Sequence, residues 1–505
     1  MRRSFTKRTT RKLINPMLEE EVSVTAPLNL EEKIAFIKEG LFLTDDLTIR
    51  DLVFNDRQIK LMFINSIVDV NNLQSNVIKP IQENPFGEIK EVVSGSEMIN
   101  TTDLQVGLDA LVDGYCLLVQ EEESLFLISA PKSKTTHQIE PENEKVIRGS
   151  HLGFSENVME NVQYIRERIT NRKVTVKYSH VGETTKTKYA LISISTLTDP
   201  EIAKTIEDRI SFIQADSIQS PGYFEEFLED NSFSPFPQYL NTERPDRVVA
   251  NLMEGRMALL MEGSPTALIF PVSFFSFFQT SEDYNTRSFI ASFLRLIRLF
   301  SFITTLCLPA FYIAVISYNY EVIPVEIIFS IKSSLEYLPF PPLIEAAIMQ
   351  FTLELLREAA IRLPNPVAQT IGVVGGLVIG TAVVDANFVS NTMVIVVAIT
   401  AISSFVIPSN ELSTSVRILG FPLMVLAALF GFFGIVIGLM ITLIHMSKLK
   451  SLGYYYLYPI APLDVKALKD ALVRVPIWMM KERPRDLKPL YKWKITNPRG
   501  WENNE

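Results

Sequence analysis

The residues best suited to chemistry in an apolar setting lie on one face of a predicted helix, in the hydrophobic half of this 505-residue chain. At about 100° per residue, they fall within roughly 140° of arc. They are Gln350, Glu354, Arg357, Glu358 and Arg362. Glu354 and Glu358, like Glu358 and Arg362, lie four residues apart, a spacing at which helix side chains meet. Each charge costs about 2.5–3.5 kcal/mol at the centre of a bilayer, so something must cover this face.

Three arrangements can accommodate such a charged helix. It can lie flat at a membrane interface, pack against charges of another subunit, or line an aqueous path. The sequence favours a path or gate formed with the glycine-rich segment that follows. There, Gly372 and Gly376 have the small-xxx-small spacing of closely packed membrane helices. A ring of Glu354 or Glu358 side chains in an oligomer would favour cations.

Patterns for catalysis and metal binding are missing from the sequence. The histidines lack metal-ligand spacing; they are His137, His151, His180 and His445. No phosphate-binding loop, nucleophile elbow or dinucleotide fingerprint occurs. The formal net charge of -9 argues against nucleic-acid binding. We therefore expect no catalytic residue, metal site, cofactor or nucleic-acid partner.

The C-terminal half contains stretches without a charged residue that are long enough to cross about 30 Å of hydrocarbon. They are 299–320, 363–384, 386–410 and 418–444. The segment 322–363 then forms a re-entrant or interfacial pair, or two further spans. The sequence therefore predicts a bundle of about four to six membrane helices.

Basic residues flank the outer ends of this apolar region. They are Arg287, Arg295 and Arg298 before the first stretch, and Lys448 and Lys450 after the last. Cytoplasmic flanks of membrane helices carry an excess of Lys and Arg. We therefore expect both chain termini in the cytoplasm.

The N-terminal half contains an internal repeat. Residues 111–131, "LVDGYCLLVQEEESLFLISAP", align without a gap on residues 252–272, "LMEGRMALLMEGSPTALIFPV". Each segment has two short apolar runs around a polar turn, which is typical of a β-hairpin. Each follows a predicted helix that ends at a glycine, Gly114 or Gly255, as helix C-caps often do. The repeat predicts two related α/β units.

The predicted fold is α+β and multidomain, with a two-subdomain α/β soluble region followed by a polytopic α-helical membrane domain. The division we predict is a disordered basic tail at 1–30, α/β subdomain 1 at 31–145, α/β subdomain 2 with the hairpin repeat at 146–285, the membrane domain at 286–446, and a basic cytoplasmic tail at 447–505.

Several blocks, in order over residues 245–462, resemble the A subunits of GerA-type spore germinant receptors, a family of Bacillus and Clostridium endospore proteins. They include "PDRVVANLMEGRMALLMEGSPTALIF", "LPFPPLIEAAIMQFTLELLREAAIRLPNP" and "LGYYYLYPIAP". The N-terminal half resembles the family more loosely, because "RGSHLGF" lacks the Pro and Glu of the family's "RGPREGFTE".

The resemblance implies an integral multi-pass receptor subunit in the inner spore membrane. Its implied partners are a transporter-like B subunit that senses small nutrients, a C lipoprotein, further copies of the A subunit, and membrane lipids. It also implies an oligomer around an ion path, in which germinant binding starts the release of monovalent cations. A non-conducting signalling or scaffold subunit is the alternative. A secondary transporter is disfavoured because the two membrane halves show no inverted repeat.

Overall fold

The computed structural model describes residues 29–93, 97–122, 124–133, 139–324, 338–364, 367, 376 and 380–495. The chain divides into two compact units. Unit 1 comprises 1–229, 239–271 and 476–505, and unit 2 comprises 230–238 and 272–475. The five-part division predicted from the sequence stays a prediction.

The first sheet of unit 1 is antiparallel, with the strand order β1-β2-β4-β5-β3. Its strands are β1 (Leu47–Phe54), β2 (Arg57–Ile64), β3 (Met98–Thr101), β4 (Tyr115–Val119) and β5 (Leu125–Ser129). The helices are α1 (Leu30–Gly40), α2 (Val70–Leu73), α3 (Lys79–Glu83), α4 (Ile89–Val92) and α5 (Leu104–Val112), with a π-helical turn at Gln74–Ile78. The side chains of Asn29, Asp69 and Asp103 cap α1, α2 and α5 by accepting backbone N–H bonds.

The second sheet of unit 1 is also antiparallel, and its order β6-β7-β9-β10-β8 repeats that of the first. Its strands are β6 (Val174–Val181), β7 (Thr187–Ile194), β8 (Leu240–Thr242), β9 (Met257–Met261) and β10 (Ala267–Phe270). The helices are α6 (Val158–Arg168), α7 (Pro200–Ser211), α8 (Pro221–Leu228) and α9 (Pro245–Leu252), and a 3-10 turn at Ile477–Met479 also belongs to unit 1. Both sheets follow the same chain order of helix, hairpin, helices, short strand, helix and second hairpin.

The two segments that align in the sequence form the second hairpin of each sheet, β4–β5 and β9–β10. Gly114 and Gly255, which follow α5 and α9, have φ angles of 88° and 103°. This left-handed region is open to glycine without a steric penalty. A Cβ atom on Gly255 would also lie 3.0 Å from the Leu197 carbonyl oxygen. The internal repeat therefore extends beyond the aligned hairpin to a whole sheet topology.

Unit 2 is mainly helical in the part of the chain that the structure describes. Its helices are α10 (Ser281–Asn285), α11 (Ser288–Ser317), α12 (Pro342–Arg362), α13 (Asn391–Val406), α14 (Asn410–Phe430), α15 (Phe432–Lys448) and α16 (Leu468–Ala471). Shorter elements are the 3-10 turns Phe274–Phe278 and Tyr320–Val322 and the strands β11 (Lys450–Ser451) and β12 (Tyr454–Tyr455). Helix α11 packs against α13 and α14. The chain thus combines an α+β region with a helical C-terminal part, as predicted.

The prediction of one continuous span at 418–444 is wrong. Helix α14 ends at Phe430 and α15 begins at Phe432, and Gly431 between them has φ 62° and ψ -140°, a conformation that glycine adopts most readily. The two helices run antiparallel: a Cβ atom on Gly434 would lie 2.0 Å from the Leu426 oxygen, and one on Gly438 would lie 2.4 Å from Leu423 Cδ1. Hydropathy could not reveal this hairpin, since its turn is a single glycine inside an apolar run.

Two described helices, α11 and α14, are long and apolar enough to cross a membrane, judged by length and composition; α13 and α15 are apolar but shorter. Helix α11 contains most of the predicted span 299–320, and α13 occupies the middle of 386–410. The predicted span 363–384 lies mostly outside the described residues. The bundle of four to six membrane helices stays a prediction.

Candidate functional site

The predicted charged face lies on α12, and the structure divides it into two parts. Gln350 is 5% exposed, and the side chains of Glu354 and Arg357 are partly buried. The side chains of Glu358 and Arg362 are 60% and 76% exposed. They pair with each other at 2.9 Å between Arg362 Nε and Glu358 Oε1. The first part of the face therefore packs inside unit 2, while the last turn of α12 leaves its charges accessible.

Glu354 is the centre of an ion-pair triad. Its Oε1 accepts a hydrogen bond from Arg357 Nη1 at 3.2 Å, three residues further along the same helix. The same oxygen accepts a second bond from Arg417 Nε on α14 at 2.8 Å. One carboxylate thus faces two guanidinium groups, and the triad carries a net positive charge. Only Arg417 brings a charge to Glu354 from another helix among the described residues.

Hydroxyl groups give both arginines further hydrogen bonds, although the buried Nε of Arg357 has no partner among the described residues. Arg417 Nη1 donates to Ser413 Oγ at 2.9 Å and Arg417 Nη2 to Thr414 Oγ1 at 3.1 Å. Arg357 Nη2 donates to Ser404 Oγ at 2.9 Å, and Ser413 Oγ donates to the Ser404 carbonyl oxygen at 2.7 Å. Charged groups removed from water need such partners. The triad and its hydroxyls therefore tie α12, α13 and α14 together.

Sequence reasoning missed Arg417. It stands alone in the apolar stretch "SVRILGF", and its carboxylate partner lies 63 residues away in the chain. The available signal was physical: a lone charge inside an apolar helix needs a partner from elsewhere. Ser413 and Thr414, one turn before Arg417, were a further sign of a buried guanidinium.

A second polar group in unit 2 surrounds Glu345, near the start of α12. Glu345 is fully buried, and its Oε2 accepts a bond from the Ser390 backbone N–H at 3.2 Å. The Ser390 hydroxyl caps α13 and lies 3.0 Å from the Tyr312 hydroxyl of α11. The other oxygen of Glu345, Oε1, has no hydrogen-bond partner among the described residues. Sequence analysis did not single out Glu345 as a site residue.

A third charged cluster lies at the start of α11, around the buried carboxylate of Asp283. Arg295 Nε donates to Asp283 Oδ2 at 2.9 Å, and Arg298 Nη1 donates to Asp283 Oδ1 at 2.8 Å. Arg295 Nη1 also pairs with Asp470 Oδ1 at 2.9 Å. Arg295 and Arg298, which the sequence predicts to be part of a basic membrane flank, therefore form buried ion pairs within unit 2.

Among the described residues of unit 1, one ion pair has almost completely buried side chains, and it lies between the two sheets. Arg166 Nε on α6 donates to Asp46 Oδ2 at 2.7 Å, and the two side chains are 1% and 0% exposed. Ser66 donates to Asp46 from both its backbone N–H and its hydroxyl. Tyr178 Oη donates to Asp46 Oδ1 at 3.3 Å. Burial, and next the charge of Asp46, raises the pKa of Tyr178, so its hydroxyl stays protonated and remains a donor.

The remaining predicted site residues are glycines. Gly372 lies outside the described residues. Gly376 is described, and a Cβ atom there would meet no described atom within 4 Å. Among the described residues, no group of three or more His, Cys, Asp or Glu side chains could hold a metal ion.

Known proteins are similar to this chain over nearly its whole length. The family described as "Bacillus/Clostridium GerA spore germination protein" matches residues 35–486. "Uncharacterized membrane protein YfkQ" of Bacillus subtilis (strain 168) is 37% identical over 93% of this chain and 91% of its own length. "Spore germination protein KA" of the same organism is 34% identical over 93% and 88%. "Spore germination protein GerLA" of Bacillus cereus is 35% identical over 91% and 96%.

A solved structure is similar to part of the chain. It is the N-terminal domain of the A subunit of the Bacillus megaterium spore germinant receptor GerK3. It is 26% identical, with a TM-score of 0.40, and the match covers 50% of this chain and 99% of that domain.

Proposed function

The chain belongs to the GerA family of spore germination proteins, and we propose that it is the A subunit of a nutrient germinant receptor that oligomerises around a gated path for monovalent cations. In this proposal it is an integral multi-pass protein of the inner spore membrane, with both termini in the cytoplasm. Its partners are a transporter-like B subunit, a C lipoprotein and further copies of itself.

The observation that carries the proposal is the distribution of charge along α12. Unit 2 is built from apolar helices, and charges in such a setting are expensive unless they serve a pathway or are paired. Glu354 and Arg357 are paired inside unit 2, while Glu358 and Arg362 pair with each other on the next turn and remain accessible. An accessible acidic side chain, repeated by the symmetry of an oligomer, forms the kind of ring that favours cations.

The alternative is a non-conducting signalling or scaffold subunit of the same receptor. The interhelical triad and the Asp283 cluster favour this alternative, because ion pairs between helices make unit 2 rigid. In that case the last turn of α12 is a contact surface for another subunit, and neutralising its charges changes assembly rather than ion flux.

The replacement Glu358→Gln separates the two functions. We expect it to lower monovalent-cation flux several-fold or to change ion selectivity, because it removes one acidic group per subunit from the path. Assembly should persist, since an exposed ion pair contributes at most about 1 kcal/mol. The measurement is potassium efflux from liposomes containing the co-purified receptor complex, after addition of the common amino acids with glucose. Glu321→Gln, at an exposed position outside α12, is the matched control.

Wild-type efflux and selectivity in the Glu358→Gln complex would contradict the path on α12 and leave the scaffold function. Glu354→Gln is the less specific test, because it leaves Arg357 and Arg417 facing each other without their carboxylate. Its effect on flux would be mixed with a loss of stability.

A further inference from the structure

We propose that Arg417 keeps the cation path closed by holding α14 to α12 through its ion pair with Glu354, and this proposal rests on the function proposed above. The contact between Arg417 Nε and Glu354 Oε1, at 2.8 Å, is called the latch here. It joins α12, which carries the charged face, to α14, which follows the α13–α14 turn. In this proposal Arg417 regulates the path and does not itself conduct ions.

The charges of the triad oppose cation passage in this structure. Glu354 Oε1 already accepts bonds from two guanidinium groups, so that oxygen is not available to replace the hydration shell of a cation. The triad as a whole is positive and repels cations. With the latch broken, Glu354 and Arg357 remain as a pair, and α14 is no longer held to α12 by an ion pair.

The two arginines have different mechanical roles. Arg357 lies three residues from Glu354 on α12 and moves with it. Arg417 lies on α14, so a shift of α14 relative to α12 breaks the latch and leaves the Glu354–Arg357 pair intact. Small helix shifts of this kind are a common switching movement.

Both ends of the latch keep partners after it opens. Arg417 remains bonded to Ser413 and Thr414, which precede it on its own helix. Glu354 remains paired with Arg357. Both groups therefore keep hydrogen-bond partners in the open state, but Arg417 loses its counter-charge, a cost that nutrient binding has to offset.

The test compares two variants that each remove one arginine and each leave a single neutral pair. Arg417→Gln cuts the latch, and we expect potassium efflux without nutrients to rise at least tenfold over the wild-type leak. Arg357→Gln keeps the latch, and its potassium leak should rise far less.

Three further variants serve as controls. Arg417→Lys preserves the charge and should keep the potassium leak low. Glu354→Gln combined with Arg417→Gln should suppress the leak, because it leaves the Arg357 charge uncompensated. Arg485→Gln, in an exposed pair of unit 1, is the neutral control.

Efflux is measured from liposomes containing the intact receptor complex, first without nutrients and then with the common amino acids and glucose. High leak in Arg417→Gln but not in Arg357→Gln supports the latch. Equal leak in both variants overturns it, because loss of charge alone then opens the path. If nutrients raise wild-type efflux and Arg417→Gln leaks no more than wild type, the latch is wrong and the proposed function stands. If nutrients bind the complex and neither the wild type nor any variant conducts potassium, both the latch and the proposed function are wrong.

Discussion

Replacement of Arg166 by alanine is expected to lower the free energy of unfolding of unit 1 by about 3–5 kcal/mol. The change leaves the Asp46 carboxylate buried between two sheets, with hydrogen bonds from Ser66 and Tyr178 but no counter-charge. The chain has three tryptophans, of which Trp478 and Trp493 lie in the described part of unit 1 and none precedes residue 476. Tryptophan fluorescence during urea titration of the purified full chain therefore reports the unfolding of unit 1.

The control for this prediction is an exposed ion pair in the same unit. Lys177 Nζ lies 2.6 Å from Glu207 Oε1, and about half of each side chain is exposed. Lys177→Ala should cost at most about 1 kcal/mol. A double replacement of Asp46 and Arg166 by alanine should cost less than the two single changes added together, because neither charge is then left alone. Equal effects of Arg166→Ala and Lys177→Ala would show that the buried pair does not hold the two sheets together.

Replacement of Asp283 by alanine is expected to have a comparable effect on unit 2. It removes the carboxylate shared by Arg295 and Arg298, which both contact it within 3 Å. Arg295 keeps Asp470, whereas Arg298 keeps only the Phe278 carbonyl oxygen and the Thr280 hydroxyl among its described partners. Leaving a buried guanidinium without its counter-charge costs about 3–5 kcal/mol. The measurement is the temperature at which the detergent-solubilised chain ceases to be monodisperse.

The neighbouring residue supplies the control for Asp283. Glu282 is partly exposed, and its replacement by alanine should change stability by about 0.5 kcal/mol or less. Asp283→Asn tests the same point while conserving shape, and it should resemble Asp283→Ala because charge is what the arginines lose. A monodisperse Asp283→Ala chain with the wild-type transition temperature would refute the structural role of this cluster.

Local patterns in the sequence predicted the structures that depend on neighbouring residues. The hairpins after Gly114 and Gly255 follow from alternating apolar runs and from glycines that enter the left-handed region. The charged face of α12 follows from helical periodicity, and the Glu358–Arg362 pair from a spacing of four residues. The similarity of the two hairpins also signalled the repeated sheet, although the full strand order is visible only in the structure.

Long-range pairing and single-residue breaks were beyond such patterns. Nothing within ten residues of Arg417 indicates that Glu354 is its partner, because α12 and α14 meet only in the folded unit. The sequence predicts a basic membrane flank at Arg295 and Arg298, yet both form ion pairs with Asp283 on the preceding short helix. Gly431 turns an apolar run into a helical hairpin, and composition does not distinguish that turn from a glycine inside a continuous helix.

Potassium efflux from liposomes that contain the receptor complex, with or without this chain, is the most direct test of a cation path built on α12. We expect the common amino acids with glucose to increase efflux only when the wild-type chain is present, and Glu358→Gln to lower this response. Equal nutrient-dependent efflux without the chain, or none from a complete complex that binds nutrients, would contradict a cation path built on α12.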